Sequence, residues 1–306
     1  MIGHMASAAS FEVVRRWTAP VVRELYRRER IPARVRWWLV ADGMRDWYRL
    51  VARDLRPHLG DEAKPVMADL VARTLERRYE VLSGQCRHLP SRTRDQRSLA
   101  LVMGGLYRMH GSSRGAWIFD SVGGAARGPV ERLRAQRLVA PIAPDSRWRE
   151  LAVHLGEWLV VLTEALPERL PRAQAIIADI CFRAGVRFGE HARRTFGIGT
   201  GPSSGDPAAD AIEALRMTEY LFRVNPKHWS ETDTSRGSGY LEGTACPWYT
   251  RPGWDRMHCG IFGQFQSGIC SVFGLDYHLS RTIPKHGGST CRVDLQPLRI
   301  RRSADA

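Results

Sequence analysis

Four of the six cysteines in this 306-residue chain fall between positions 246 and 291: Cys246, Cys259, Cys270 and Cys291. A thiolate can attack an amidine or acyl carbon and split one difficult hydrolysis into two easier steps. The crowding points to a cysteine-lined pocket, with Cys270 as nucleophile and Cys246 and Cys291 beside it. A free thiol is mostly protonated at neutral pH, so it needs activation. Asp276 or an imidazole (His278, His258 or His286) is available for that. Arg281 could hold a substrate carboxylate bidentately. Trp248, Tyr249 and Trp254, around Pro252-Gly253, form an aromatic segment suited to closing over a ring. Each has a plainer use: cysteines as small buried hydrophobes, tryptophans as packing, an arginine on a strand as a solvated charge.

The spacing limits what the cysteines can do together. On one helix, Cys259 and Cys270 share a face but lie about 16 Å apart, too far for a common metal or a disulfide. Cys270 must then find its partners on the sheet. No Cys-x-x-Cys pair occurs, which argues against a zinc ribbon or a thioredoxin-like motif. Two cysteines and a histidine could hold zinc with water in the fourth place, but no spacing compels it, and no cofactor is expected.

The elements that position these residues follow from hydrophobic period and punctuation. Arg172–Phe196 reads as a helix with Ile177, Cys181, Ala184, Phe188 and Ala192 on one face. Gly185 and Gly189, one turn apart, allow another element to approach closely. Gly197 and Gly199 fit a helix stop, and Asp206-Pro207 an N-cap and first helical residue. Beyond Pro226 the period changes to two strands (229–234 and 239–246), a helix over 255–273, and two more strands (277–283 and 289–295). The expected unit is α+β, a small, mainly antiparallel sheet with helices on one side.

The first half reads as helical throughout, with Trp37, Val40, Met44, Trp47 and Leu50 at helical steps and an apolar helix over 148–166. The expected division is an Arg-rich helical domain over 1–165 and an α+β domain over 166–306. Residues 99–109 and 128–139 suggest a helix-turn-helix, but the segment between them is too long for that motif's turn.

The run from Ala173 to Asp294 resembles the L-2-amino-thiazoline-4-carboxylic acid hydrolase family, relatives of the small-molecule-binding 4-vinyl-reductase domains. The matching features are Arg183-Ala184-Gly185 through Gly189, the strand ending in Cys246-Pro247, a helix bearing Cys270, then Asp276, Arg281-Thr282, Gly288 and Cys291-Arg292-Val293. The resemblance covers about the last 40% of the chain and implies hydrolysis of a C–N bond in a small heterocycle.

The net charge of +14 comes from 46 basic residues, only three of them lysines (Lys64, Lys227 and Lys285), against 32 acidic ones. Residues 1–150 carry +12 of it, and the half with the plausible chemistry is almost neutral. The arginines read mainly as solvated charges on amphipathic helices, many paired with an acid one turn away, such as Glu24–Arg28 and Arg73 near Glu76. Nucleic acid is therefore not the expected partner. No apolar run approaches the roughly 20 residues of a membrane span, and Met1–Ser10 lacks the pattern of a signal peptide. A cytoplasmic protein is expected, with a small-molecule substrate and a helical half able to form a lid or a dimer surface.

Two functions follow as expectations. The first is a hydrolase or ring-opening or ring-forming enzyme of specialised metabolism in a GC-rich bacterium. The alternative is a ligand-sensing transcriptional regulator, with a DNA-binding first half.

Overall fold

A computed structural model describes residues 18–85, 96–107, 128–200, 205–222, 227–244 and 246–298. In chain order its elements are α1 (18–27), α2 (Ala33–Leu59), α3 (Ala63–Gln85), α4 (Gln96–Leu106), α5 (Pro129–Val139), α6 (Pro144–Ala165), α7 (Ala173–Phe196) and α8 (Pro207–Phe222). Then follow β1 (His228–Asp233), β2 (Ser238–Gly243), α9 (Arg256–Val272), β3 (Leu275–Arg281), the four-residue α10 (Ile283–His286) and β4 (Cys291–Pro297). The expected α+β class holds. Cys86 and most of the segment between the two suggested helix-turn-helix helices lie outside the described residues.

The chain forms two compact units, divided otherwise than at residue 165. A helical unit takes Pro32–Ile180 together with Pro247–His258, and an α+β unit takes the stretch up to Ile31, Cys181–Cys246 and the chain from Cys259 onward. The division falls inside α7. It assigns α1 to the α+β unit and the Trp248–Trp254 loop to the helical one, because each is tied by side-chain contacts to elements distant in sequence.

The helical unit is built on α6, whose residues from Leu151 to Thr163 are all buried. A helix covered all round has to satisfy its polar residues internally. Arg78 of α3, 1% exposed, does this for Glu150, and Arg77 donates to Glu157 at 3.0 Å. The Tyr48 hydroxyl of α2 is hydrogen-bonded to Nε2 of His154, within an aromatic cluster with Tyr107 and Trp158. The surface arginines largely pair locally: Arg45 with Asp42, Arg49 with Asp46, Arg149 with Asp145. Arg73 pairs with Asp69 at 3.0 Å rather than with Glu76.

Burial, and then the charge of Arg78, hold His154 well below the ordinary imidazole range. The fold thus binds neutral His154, while the unfolded chain takes up a proton below about pH 6.5. Stability present above that pH is lost as pH falls toward the depressed folded-state value, at up to about 1.4 kcal/mol per pH unit. His154→Gln should flatten this part of the profile. Urea unfolding of both proteins at neutral and mildly acidic pH measures the difference in slope, and equal slopes would refute the assignment.

In the α+β unit the local signals act as their chemistry requires. Asp206 caps α8 by accepting the Ala208 and Ala209 N–H groups at 3.0 and 3.1 Å. Gly197 and Gly199 leave α7 with φ of 66° and 73°, the left-handed region that favours glycine. Helices α7 and α9 cross on glycines from both sides. A Cβ at Gly185 would lie 1.9 Å from the Phe265 carbonyl oxygen, and one at Gly268 would lie 2.1 Å from that of Phe182.

The sheet is antiparallel with strand order β1-β2-β4-β3. Its register pairs His228 with Gly243 and Gly243 with Cys291; the next rows of the same face hold Ser230, Leu241, Val293 and Leu279, then Thr232, Gly239, Leu295 and Tyr277. This is the inner face, since Leu241, Val293, Leu295 and Leu275 are buried on it and α8 and α9 pack against the strands.

Candidate active site

The register separates the residues expected to act together. Asp276, His278 and Glu242 alternate with the inner-face residues and so lie on the outer face. A register irregularity between Leu279 and Arg281 turns Arg281 outward as well, where it pairs with Glu242 at 3.0 Å. Arg292 stacks on Tyr240 and pairs with Asp294 in the same outer layer. Arg281 is therefore one member of a cross-strand charge ladder. Asp276 and His278 stand across the sheet from Cys291 and cannot exchange a proton with its thiol.

The cysteines also divide. Cys270 is fully buried in α9, and burial pushes its thiol up to about 12. A thiol held that high is protonated at neutral pH and is no nucleophile. Cys246 is half-buried just beyond β2. Cys291 is on the inner face, its Sγ accepting the Ile283 N–H at 3.4 Å. None of the described cysteines forms a disulfide. Cys270→Ala is accordingly expected to leave any activity the chain has within about twofold, with native Cys270 unreactive toward a thiol reagent until the fold opens. Loss of turnover in that variant, with its fold intact, would restore the nucleophile assignment.

Trp248 and Trp254 are core residues of the helical unit rather than a ring-closing wall. Trp248 is buried, donates its Nε1–H to the Ala152 carbonyl at 2.8 Å and packs on Gly156. Trp254 lies against Trp248 and His258 with ring centroids 5.1 and 5.3 Å apart. Tyr249 is exposed. Beside them, Asp255, His258 and Thr163 have the order of a hydrolytic triad, at 2.8 Å for each link. The Thr163 hydroxyl, however, is buried and its single proton also has the Leu159 and Val160 carbonyls within reach, at 3.1 and 2.9 Å. Asp255 caps α9 through the Met257 and His258 N–H groups. Burial acts to raise the Asp255 carboxyl, but hydrogen bonds from His258 and the backbone outweigh it and the net shift is downward. The trio braces the start of α9 and presents no nucleophile.

Chemistry of another kind is assembled on the inner face of the sheet. Glu219 of α8 contacts Nε2 of His228, at the start of β1; the two side chains are 7% and 1% exposed. The Gln266 amide of α9 donates to Glu219 at 3.1 Å, and the Tyr277 hydroxyl of β3 donates to the Gln266 carbonyl oxygen. Neither ring nitrogen of His228 makes a hydrogen bond of ordinary geometry among the described residues; Nε2 has the Glu219 contact and Nδ1 has none. A carboxylate on one ring nitrogen orients the imidazole and leaves the other nitrogen to accept a proton. Along the same row Gly243 carries no side chain, and Cys291 stands on its far side, two strand spacings or about 10 Å from His228.

A cavity of about 920 Å³ opens between α1, α8 and β1, with Arg23, Tyr26, Glu213, Arg216, Ser230 and Thr232 among its walls. Arg23 is locked into it by Glu213 at 2.6 and 2.7 Å. Ser230 and Thr232 are inward-facing residues of β1, and His228 is the next inward position, about 7 Å along the strand. Among the described residues no cluster of three or more His, Cys, Asp or Glu side chains could hold a metal ion.

No family model, curated protein or solved structure matches the chain.

None of Glu219, His228, Gln266 and Tyr277 stands out from sequence. One signal was available: Glu219 follows Ile212 and Leu215 at helical steps of three and four, a carboxylate on the buried face of α8.

Proposed function

We propose that the α+β unit is a hydrolase acting on a C–N bond of a small heterocyclic or amide-like substrate, with Glu219 and His228 as its acid–base pair. The observation that carries this reading is the buried carboxylate–imidazole contact with Nδ1 of His228 left unpartnered. A buried polar nitrogen without a partner costs stability, and strained or unsatisfied groups concentrate where function requires them.

His228 takes a proton from water at Nδ1, and the water oxygen adds to the amidine or acyl carbon. The C–N bond then breaks as His228 returns the proton to the leaving nitrogen. Glu219 stabilises the imidazolium formed in between, and Gln266 and Tyr277 hold the carboxylate in place. The substrate reaches His228 from the cavity walled by Ser230 and Thr232, the next inward-facing residues of β1. The sequence resemblance supplies the first compound to test, L-2-amino-thiazoline-4-carboxylate, followed by other cyclic amidines and small amides. Turnover in this panel that is lost in His228→Gln and retained in Cys270→Ala supports the reading. Turnover unchanged in His228→Gln sinks it.

A further inference from the structure

On the helical unit, the N-terminal ends of α2 and α6 bring arginines over indoles. Arg36 lies 3.4 Å from the Trp148 ring centroid, Arg147 lies 4.7 Å from that of Trp37, and Arg34 lies 5.4 Å from that of Trp38. Arg149 is answered by Asp145 at 2.8 Å. Among the described residues Arg34 has no ion pair, and Arg147 donates only to the Ile142 and Ala140 carbonyls. Burial, and then the positive charge of Arg34, hold Arg147 below the usual guanidinium range, so the two charges repel with no carboxylate between them. The first turn of α2 has no acidic residue and its N-cap, Pro32, makes no side-chain cap, which leaves the positive end of the helix dipole unanswered too.

Next to these charges Val35, Trp38 and Leu39 are exposed, at helical spacing, on one stripe of α2. Tryptophan and arginine are the residues that most often anchor protein interfaces, and an apolar centre with a charged rim is the usual anatomy of one. We propose that this face, with Val35, Trp38 and Leu39 at its centre and Arg34 and Arg147 at its rim, docks an acidic amphipathic helix of a partner protein. Apolar residues of that helix cover the stripe, and its carboxylates answer Arg34, Arg147 and the start of α2. A polynucleotide would meet the arginines but offers far less aliphatic surface to Val35 and Leu39 than a leucine stripe does.

The test uses the full chain and three fluorescent helical peptides of about 18 residues, five turns. They share one leucine stripe and differ only in flanking residues, which are Glu, Gln or Lys. Affinity should fall in the order Glu, Gln, Lys, by at least about tenfold from first to last at low salt. Arg34→Glu/Arg147→Glu should reverse that order, and Trp38→Ala should weaken all three peptides. An order unchanged by the charge reversal, or no binding by the Glu-flanked peptide, overturns the proposal. So does tighter binding of a single-stranded oligonucleotide at the same residues, or a concentration-dependent dimer broken by Trp38→Ala, which would give the face to nucleic acid or to a second copy.

Discussion

His228→Gln is expected to lower turnover of any substrate of the α+β unit by two to four orders of magnitude, the usual worth of a positioned general base. The glutamine amide can still donate to Glu219, so the buried carboxylate keeps a partner and the fold is retained. Glu219→Gln should cost less, about one to two orders of magnitude. It removes the charge that stabilises the imidazolium while leaving Nδ1 of His228 able to accept a proton. Steady-state kinetics of the two variants, with circular dichroism to confirm folding, separates these outcomes. Equal small losses in both would mean that the pair is structural, and that the unpartnered nitrogen is a stability cost without a catalytic use.

The second large effect is on stability. Gly268→Ala is expected to destabilise the α+β unit by about 3 kcal/mol, the upper end of the usual overpacking range. The added methyl would have to displace the Phe182 backbone, which is fixed in α7, rather than the end of a flexible side chain. Gly185→Ala meets the Phe265 carbonyl oxygen in the same way. Gly260 provides the control within α9, because a Cβ there has nothing within 4 Å. Gly260→Ala should stabilise by about 0.5–1 kcal/mol through helix propensity alone. Amide hydrogen exchange in α9 and β4 reads the α+β unit separately from the helical one. A neutral Gly268→Ala would show that the two helices do not cross as tightly as described.

Whatever depends on neighbours in sequence was legible in advance. Asp206-Pro207 starts α8 because a carboxylate reaches N–H groups two and three residues on. Gly197 and Gly199 stop α7 because a positive φ costs glycine little. The close approach marked by Gly185 and Gly189 could be inferred, although not that Gly268 of α9 would meet it. Four strands around a helix were enough for the α+β class.

The site was not legible, because it depends on register. In a strand a one-residue slip exchanges the two faces, and neither the insertion of β4 between β2 and β3 nor the irregularity at Leu279–Arg281 follows from local pattern. Alternation with Leu279 already turns His278 outward in the sequence; the irregularity sends Arg281 outward, and the strand order places Cys291 in line with His228 across Gly243. Burial of Cys270 settles its protonation, and packing on Ala152 and Gly156 takes Trp248 into a core. The sequence by itself determined the order of the elements and the concentration of charge in the helical half, both properties of short stretches of chain. The last three strands end or begin two to three residues from where the pattern puts them, and Ile283 starts the short α10 instead of ending a strand. Only the tertiary structure brought Glu219, His228, Gln266 and Tyr277 together, because these residues, spread over almost 60 positions of chain, meet only when α8, α9 and the sheet pack on one another.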